Sequence, residues 1–220
     1  MSDNNDAIFR EVDDEVRQDE YKKLWDRYGK QIAMVAVLFI TAVAAFQGWQ
    51  YLQQKQAEDA SAIFFDAVKK AAAGKQDDAL AALSAVSHPG YGQLAKLQQA
   101  AIMATKGDTD KAVAAYDLYA SDQASDPALA DLARIRAGYL LADTKTPDEL
   151  LSRLGRFDKD DALWHNEARE VFALSAWRIK DYAMANRYFS AITADTGATP
   201  GAKQRAQMML QLLAPNLPAK

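Results

Sequence analysis

Gly107-Asp-Thr-Asp-Lys-Ala112-Val-Ala-Ala-Tyr116 is the stretch on which the fold turns. It opens with a polar turn, continues with an Ala, and places an aromatic residue four positions after that Ala. Two other segments align with it without gaps: Gly74-Lys-Gln-Asp-Asp-Ala79-Leu-Ala-Ala-Leu83 and Lys180-Asp-Tyr-Ala-Met-Ala185-Asn-Arg-Tyr-Phe189. Ala79 and Ala112 lie 33 residues apart and Ala112 and Ala185 lie 73 apart, which leaves room for one further unit between them. That unit centres on Pro147-Asp-Glu-Leu-Leu151 and lacks the clear Ala. Self-similarity at such a period marks a repeat architecture.

The physics of the pattern is that of stacked helix hairpins. A small residue in the second helix lets the first helix of the same hairpin approach closely, and the large residue one turn later fills the groove against the next unit. Candidate first helices are Gln56–Ala73, Tyr91–Lys106, Leu129–Ala142 and Ala162–Lys180, with Ala202–Leu213 closing the array. Breaks fall between them at His88-Pro89-Gly90, Ser125-Asp126-Pro127, Thr146-Pro147 and Thr199-Pro200-Gly201. No sustained alternation of the strand type occurs, so the chain reads as all-α. The three motifs resemble the tetratricopeptide repeat, closely at 107–116 and 180–189 and less so at 74–83. The first helices depart from it, because the usual Trp and Leu-Gly positions are not filled. A non-repetitive bundle of Ala-rich hairpins is the competing reading.

Ahead of the repeats lies Ile32–Phe46, IAMVAVLFITAVAAF, with no charge and Thr41 as its one polar residue. Fifteen helical residues span about 23 Å of the ~30 Å hydrocarbon core, and continuing through Leu52 supplies the remainder. Trp25 and Tyr28 precede the run and Trp49 and Tyr51 end it, where rings settle at the two headgroup layers. Lys22, Lys23, Arg27 and Lys30 gather on the N-terminal flank, whereas Lys55 is balanced by Glu58 and Asp59; this asymmetry puts the N-terminus in the cytoplasm. Ala42-Val43-Ala44 has the form of a signal-peptide cleavage site, but some thirty residues, many acidic, stand where such a peptide has a short basic region. The arm carries its own apolar stripe (Ile8, Phe9, Val12, Val16, then Tyr21, Leu24, Trp25, Tyr28), suited to docking or to a simple interfacial lead-in.

The expected organisation is therefore a cytoplasmic arm over 1–31, partly helical, and a transmembrane helix over 32–52. An α-solenoid of tetratricopeptide-like hairpins follows over 53–214, with a tail at 215–220. This arrangement, together with Gly48-Trp49-Gln50-Tyr51 and Tyr91-Gly-Gln-Leu-Ala-Lys-Leu-Gln-Gln-Ala100, resembles the ancillary Sec translocon subunit family (YfgM-type) of Gram-negative inner membranes. The resemblance implies a periplasmic interaction domain that associates with Sec translocon subunits and with a membrane-anchored, parvulin-type periplasmic chaperone. The arm here is longer and more acidic toward its start than the family pattern.

Composition narrows the chemistry. Half of the 220 residues are hydrophobic and the net charge is -4, which suits a folded chain and argues against a nucleic-acid partner. There is no cysteine, so disulfides, thiolate nucleophiles and Cys-based metal sites are excluded. His88 sits in a His-Pro-Gly turn that explains it. His165 precedes Glu167 and Glu170, but residues two apart on a helix point to different faces, so no metal site is expected. The glycines form no phosphate-cradling loop, and the acidic pairs Asp77-Asp78 and Asp160-Asp161 read as helix-start charges. The chain reads as a non-enzymatic interaction module without cofactor. Candidate peptide-binding residues are Arg134, Arg136 and Tyr139 on one first helix and Asn166, Arg169 and Trp177 on the next. An envelope scaffold for cell-division or outer-membrane assembly machinery is the alternative function, and a periplasmic hydrolase is a third.

Overall fold

Nine α-helices appear among the described residues of a computed structural model, which describes the backbone of residues 3–217 and the side chains of Lys22 and residues 25–217. They are α1 (Asp3–Ala72), α2 (Gln76–Ser84), α3 (Pro89–Thr105), α4 (Thr109–Ser121), α5 (Pro127–Leu141), α6 (Pro147–Leu154), α7 (His165–Arg178), α8 (Tyr182–Ala194) and α9 (Pro200–Leu213). Single 3₁₀ turns follow α6 at Gly155–Phe157 and α9 at Ala214–Asn216. The arm's apolar side chains from Ile8 to Leu24 and the Pro218 end of the tail lie outside the described set. Contacts divide the chain into two units, residues 1–58 and 59–220.

Helix α1 contains, between Trp25 and Ala72, a stretch long and apolar enough to cross a bilayer. Every described side chain from Gln31 to Gln56 is exposed. Thr41 Oγ1 donates to the Val37 carbonyl at 2.8 Å, so the one hydroxyl in the apolar run is satisfied within its own helix.

In the second unit, local chemistry sets where each helix starts and stops. Pro89, Pro127, Pro147 and Pro200 each occupy a first helical position, where the missing N–H costs nothing. The residues before them, His88, Asp126, Thr146 and Thr199, accept hydrogen bonds from first-turn amides. Thr146 and Glu149 close a reciprocal capping box. Three hairpin turns share one backbone solution. Gly74 (φ 79°), Gly107 (φ 84°) and Lys180 (φ 67°) are left-handed. In each, the following amide bonds five residues back: Lys75 to Lys70, Asp108 to Met103 and Asp181 to Ala176. The α5–α6 turn has no such residue, which is why its sequence carries no repeat signature.

The repeat positions pack as expected. Ala79, Ala112 and Ala185 are fully buried, and Leu83, Tyr116 and Phe189, one turn later, are at most 5% exposed. Consecutive helices from α2 to α9 pack in series, and first helices meet across hairpins as α5 against α7 and α7 against α9. The core is correspondingly divided along the stack. Ala60, Ala67, Leu83 and Ile102 form one cluster, Tyr116, Tyr119 and Ala133 a second, and Leu150, Leu154, Phe172 and Phe189 belong to a third. Each large side chain so buried contributes about 1.5–3 kcal/mol.

Several helix boundaries differ from expectation: α3, α5 and α9 begin two residues earlier, at Pro89, Pro127 and Pro200, and α1 runs unbroken through the expected arm, transmembrane and first-helix segments. Ala162–Trp164 is a turn and not the start of α7, which begins at His165. Arg169 reaches back to Asp158 (3.1 Å) and Asp160, holding the acidic segment off the helix axis.

Candidate functional site

Six side chains marked by sequence lie on α5 and α7, two adjacent first helices. Their surroundings separate them into two kinds. Arg134 donates to Asp131 (2.8 Å) and to the Ala120 carbonyl (2.6 Å), tying α5 to the end of α4. Tyr139 donates its hydroxyl to Glu170 on α7 at 2.8 Å. Asn166 is buried and donates to Asp195 at 2.6 Å. Arg169 is nearly buried between Asp158 and Asp160. Those four are occupied by internal contacts. Arg136 and Trp177 are exposed, Trp177 by 42%, and face outward.

Glu170, Arg205 and Asp195 complete these networks and were not singled out by sequence. Glu170 is buried, and Arg205 of α9 grips it with Nε and Nη2 at 2.7 Å each, so one carboxylate links α5, α7 and α9. Burial, followed by the charge of Glu170 and its hydrogen bond, drives the Tyr139 hydroxyl far above its ordinary pKa; Tyr139 therefore stays a neutral donor. The Glu170 hydrogen bond raises Arg205 in turn, against a smaller effect of burial. The signal for Glu170 was present: a Glu directly before Val171-Phe172-Ala173, an apolar run on a core helix, needs a buried partner. Its partner, 35 residues away, has no local signature.

Around this node the second unit exposes large apolar side chains. They are Trp177 and Ile179 at the end of α7, and Met208 (51%) and Leu212 (59%) on α9. Met208 and Leu212 lie three and seven residues after Arg205, on its helix face, and Trp177 lies seven after Glu170. A separate cleft of about 490 Å³, lined by Pro89, Tyr91, Leu94, Tyr119 and Leu129 among others, opens between the starts of α3 and α5. His88 stands at its rim with Nδ1 accepting from the amides of Gly90 (3.2 Å) and Tyr91 (3.4 Å), which is a capping role. Among the described residues no group of three His, Cys, Asp or Glu is placed to hold a metal ion.

Surfaces of this kind, apolar patches on a rigid frame of hairpins, suit the capture of another polypeptide. No curated protein and no solved structure matches the chain. Residues 22–172 match the family model described as a tetratricopeptide repeat-like domain, a class that in general mediates protein–protein interaction without catalysis. The match spans more than half of the chain, which therefore belongs to the tetratricopeptide repeat-like domain family.

Proposed function

We propose that this chain is a non-enzymatic protein-interaction module held at a bacterial inner membrane by one transmembrane helix. Its N-terminus is cytoplasmic and its repeat domain, residues 53–214, is periplasmic. In this reading it serves as an ancillary subunit of the Sec translocon and links emerging periplasmic chains to a parvulin-type chaperone. The observation that carries it is the juxtaposition of two features in one chain: an apolar helical stretch whose side chains from Gln31 to Gln56 are all exposed, and a repeat domain of an interaction family. An exposed apolar run of that length is stable in lipid and a liability in water. The cations before it and the aromatic residues at both ends support the orientation. Tethering keeps the domain near membrane-embedded partners, which raises effective concentration without new contacts.

Two experiments test the reading. A phosphatase reporter fused after Lys220, active only outside the cytoplasm, is expected to be active; a silent fusion overturns the compartment. Crosslinking in intact membranes followed by mass spectrometry is expected to return translocon and chaperone subunits. Adducts with division or outer-membrane assembly proteins instead would favour an envelope scaffold.

A further inference from the structure

His165 makes close polar contacts through both ring nitrogens. It begins α7, and its side chain is about five-sixths buried (16% exposed) against the turn that follows α8. Nδ1 lies 2.6 Å from the Ala162 carbonyl oxygen and Nε2 lies 2.6 Å from Asp195 Oδ2. A carbonyl oxygen only accepts, and so does an ionised carboxylate. Asp195 is ionised: hydrogen bonds from Asn166, His165 and the Gly197 amide hold its carboxyl well below the usual range. Both contacts are hydrogen bonds at once only when both ring nitrogens carry a proton, that is, when the ring is an imidazolium. A neutral ring would set a lone pair against an oxygen at one of the two contacts.

We propose that His165 is a proton-operated latch that pins the 158–164 turn to the end of the α7–α8 hairpin when charged and releases that turn when neutral. The geometry also says which contact gives way. Asp195 Oδ2 accepts from both His165 Nε2 and Asn166 Nδ2, which stand 3.0 Å apart, and its negative charge keeps the single remaining proton on Nε2. Nδ1 then turns its lone pair on the Ala162 carbonyl, and the turn loses its anchor to the ring. That turn carries Asp158 and Asp160, the partners of Arg169, and the exposed Leu163.

The charged groups around the ring agree with this direction. Burial works against the imidazolium and Arg169 repels it, but the Ala162 carbonyl and Asp195 outweigh both and raise the pKa. Arg169 is neutralised by Asp158 and Asp160, and Arg205, the cation that α9 turns toward α7, is spent on Glu170. A folded-state pKa above the ordinary value of about 6.5 means a contribution fully present below pH 6.5 and lost as pH rises through the folded pKa.

Two histidines make the test direct. The full chain, labelled with ¹⁵N-histidine and held in detergent micelles, is titrated by NMR while hydrogen exchange is followed at the amides of residues 161–165. The expected result is a His165 ring protonated on both nitrogens at pH 6, with a midpoint above about 6.5. Exchange at those amides, corrected for its intrinsic pH dependence, rises about threefold or more through the same midpoint. Asp195→Asn lowers the midpoint by about one unit, and His165→Gln removes the exchange step. A ring already neutral at pH 6, a titration with no change in exchange, or an exchange step that persists in His165→Gln overturns the latch. The wild-type titration decides the matter even where a variant folds poorly.

Discussion

Gly138 on α5 makes room for Leu154 on α6: a Cβ at Gly138 would overlap Leu154 Cδ1 and stand 3.5 Å from Val171 Cγ1. Leu154 is fully buried and falls four residues after Leu150, which is buried where the other hairpins place their Ala. In the third hairpin the small residue has thus moved from the second helix to the first. Gly138→Ala gains up to about 1 kcal/mol of helix propensity and meets an overpacking cost of about 1–3 kcal/mol. Net destabilisation of about 1–2 kcal/mol is expected. Leu154→Ala alone costs about 2–5 kcal/mol, and the double variant is expected to lose less than the sum, because the vacated space accepts the new methyl. Denaturation of the full chain in detergent checks the cycle, and strict additivity would contradict the contact.

Lys180 holds the left-handed turn that Gly74 and Gly107 hold elsewhere. A side chain in that region costs about 1–3 kcal/mol, part of which a glycine returns as entropy of the unfolded chain. Lys180→Gly is expected to stabilise by about 0.5–1 kcal/mol, read as slower hydrogen exchange across α7 and α8. Gly107→Ala should destabilise by a similar amount.

The Glu170 node predicts an ordered pair of losses. Arg205→Ala leaves a buried carboxylate with Tyr139 as its partner, and about 2 kcal/mol is expected once the half-exposed position of Arg205 is allowed for. Glu170→Gln keeps a hydrogen-bond acceptor for Tyr139 and removes the charge, so a smaller loss is expected. Equal losses would mean that leaving the Glu170 carboxylate without its cation costs nothing.

Acid should loosen the start of α6. The Thr146 amide and Lys145 hold Glu149 down to about 2. A depressed pKa contributes stability above the ordinary value of about 4.5, lost as pH falls from there through about 2. Amides of the first α6 turn are expected to exchange faster across that window, after correction for the intrinsic rate, and Glu149→Gln should abolish the dependence.

The repeat turns, caps and breaks were legible in sequence because each is a short-range rule: Pro after a capping residue, Gly at a left-handed position, Ala one turn before a large residue. The third hairpin was less so, since Gly138 and Leu154 exchange roles across sixteen residues. At the candidate site, exposure separated Arg136 and Trp177 from the rest. Helix face alone had grouped them with Arg134, Tyr139, Asn166 and Arg169, whose partners Ala120, Glu170, Asp195 and Asp158 come from other segments. Pairing across hairpins leaves no periodic trace in a single sequence.

We propose that the exposed face of this repeat domain binds translocon and chaperone at the membrane. A photo-crosslinking amino acid placed at Arg136 or Trp177 in the full chain, irradiated in intact membranes, tests it most directly. Adducts with Sec translocon subunits and a parvulin-type chaperone are expected from these exposed positions and none from Phe189, which is fully buried. Adducts lacking both partners at Arg136 and Trp177 would contradict it.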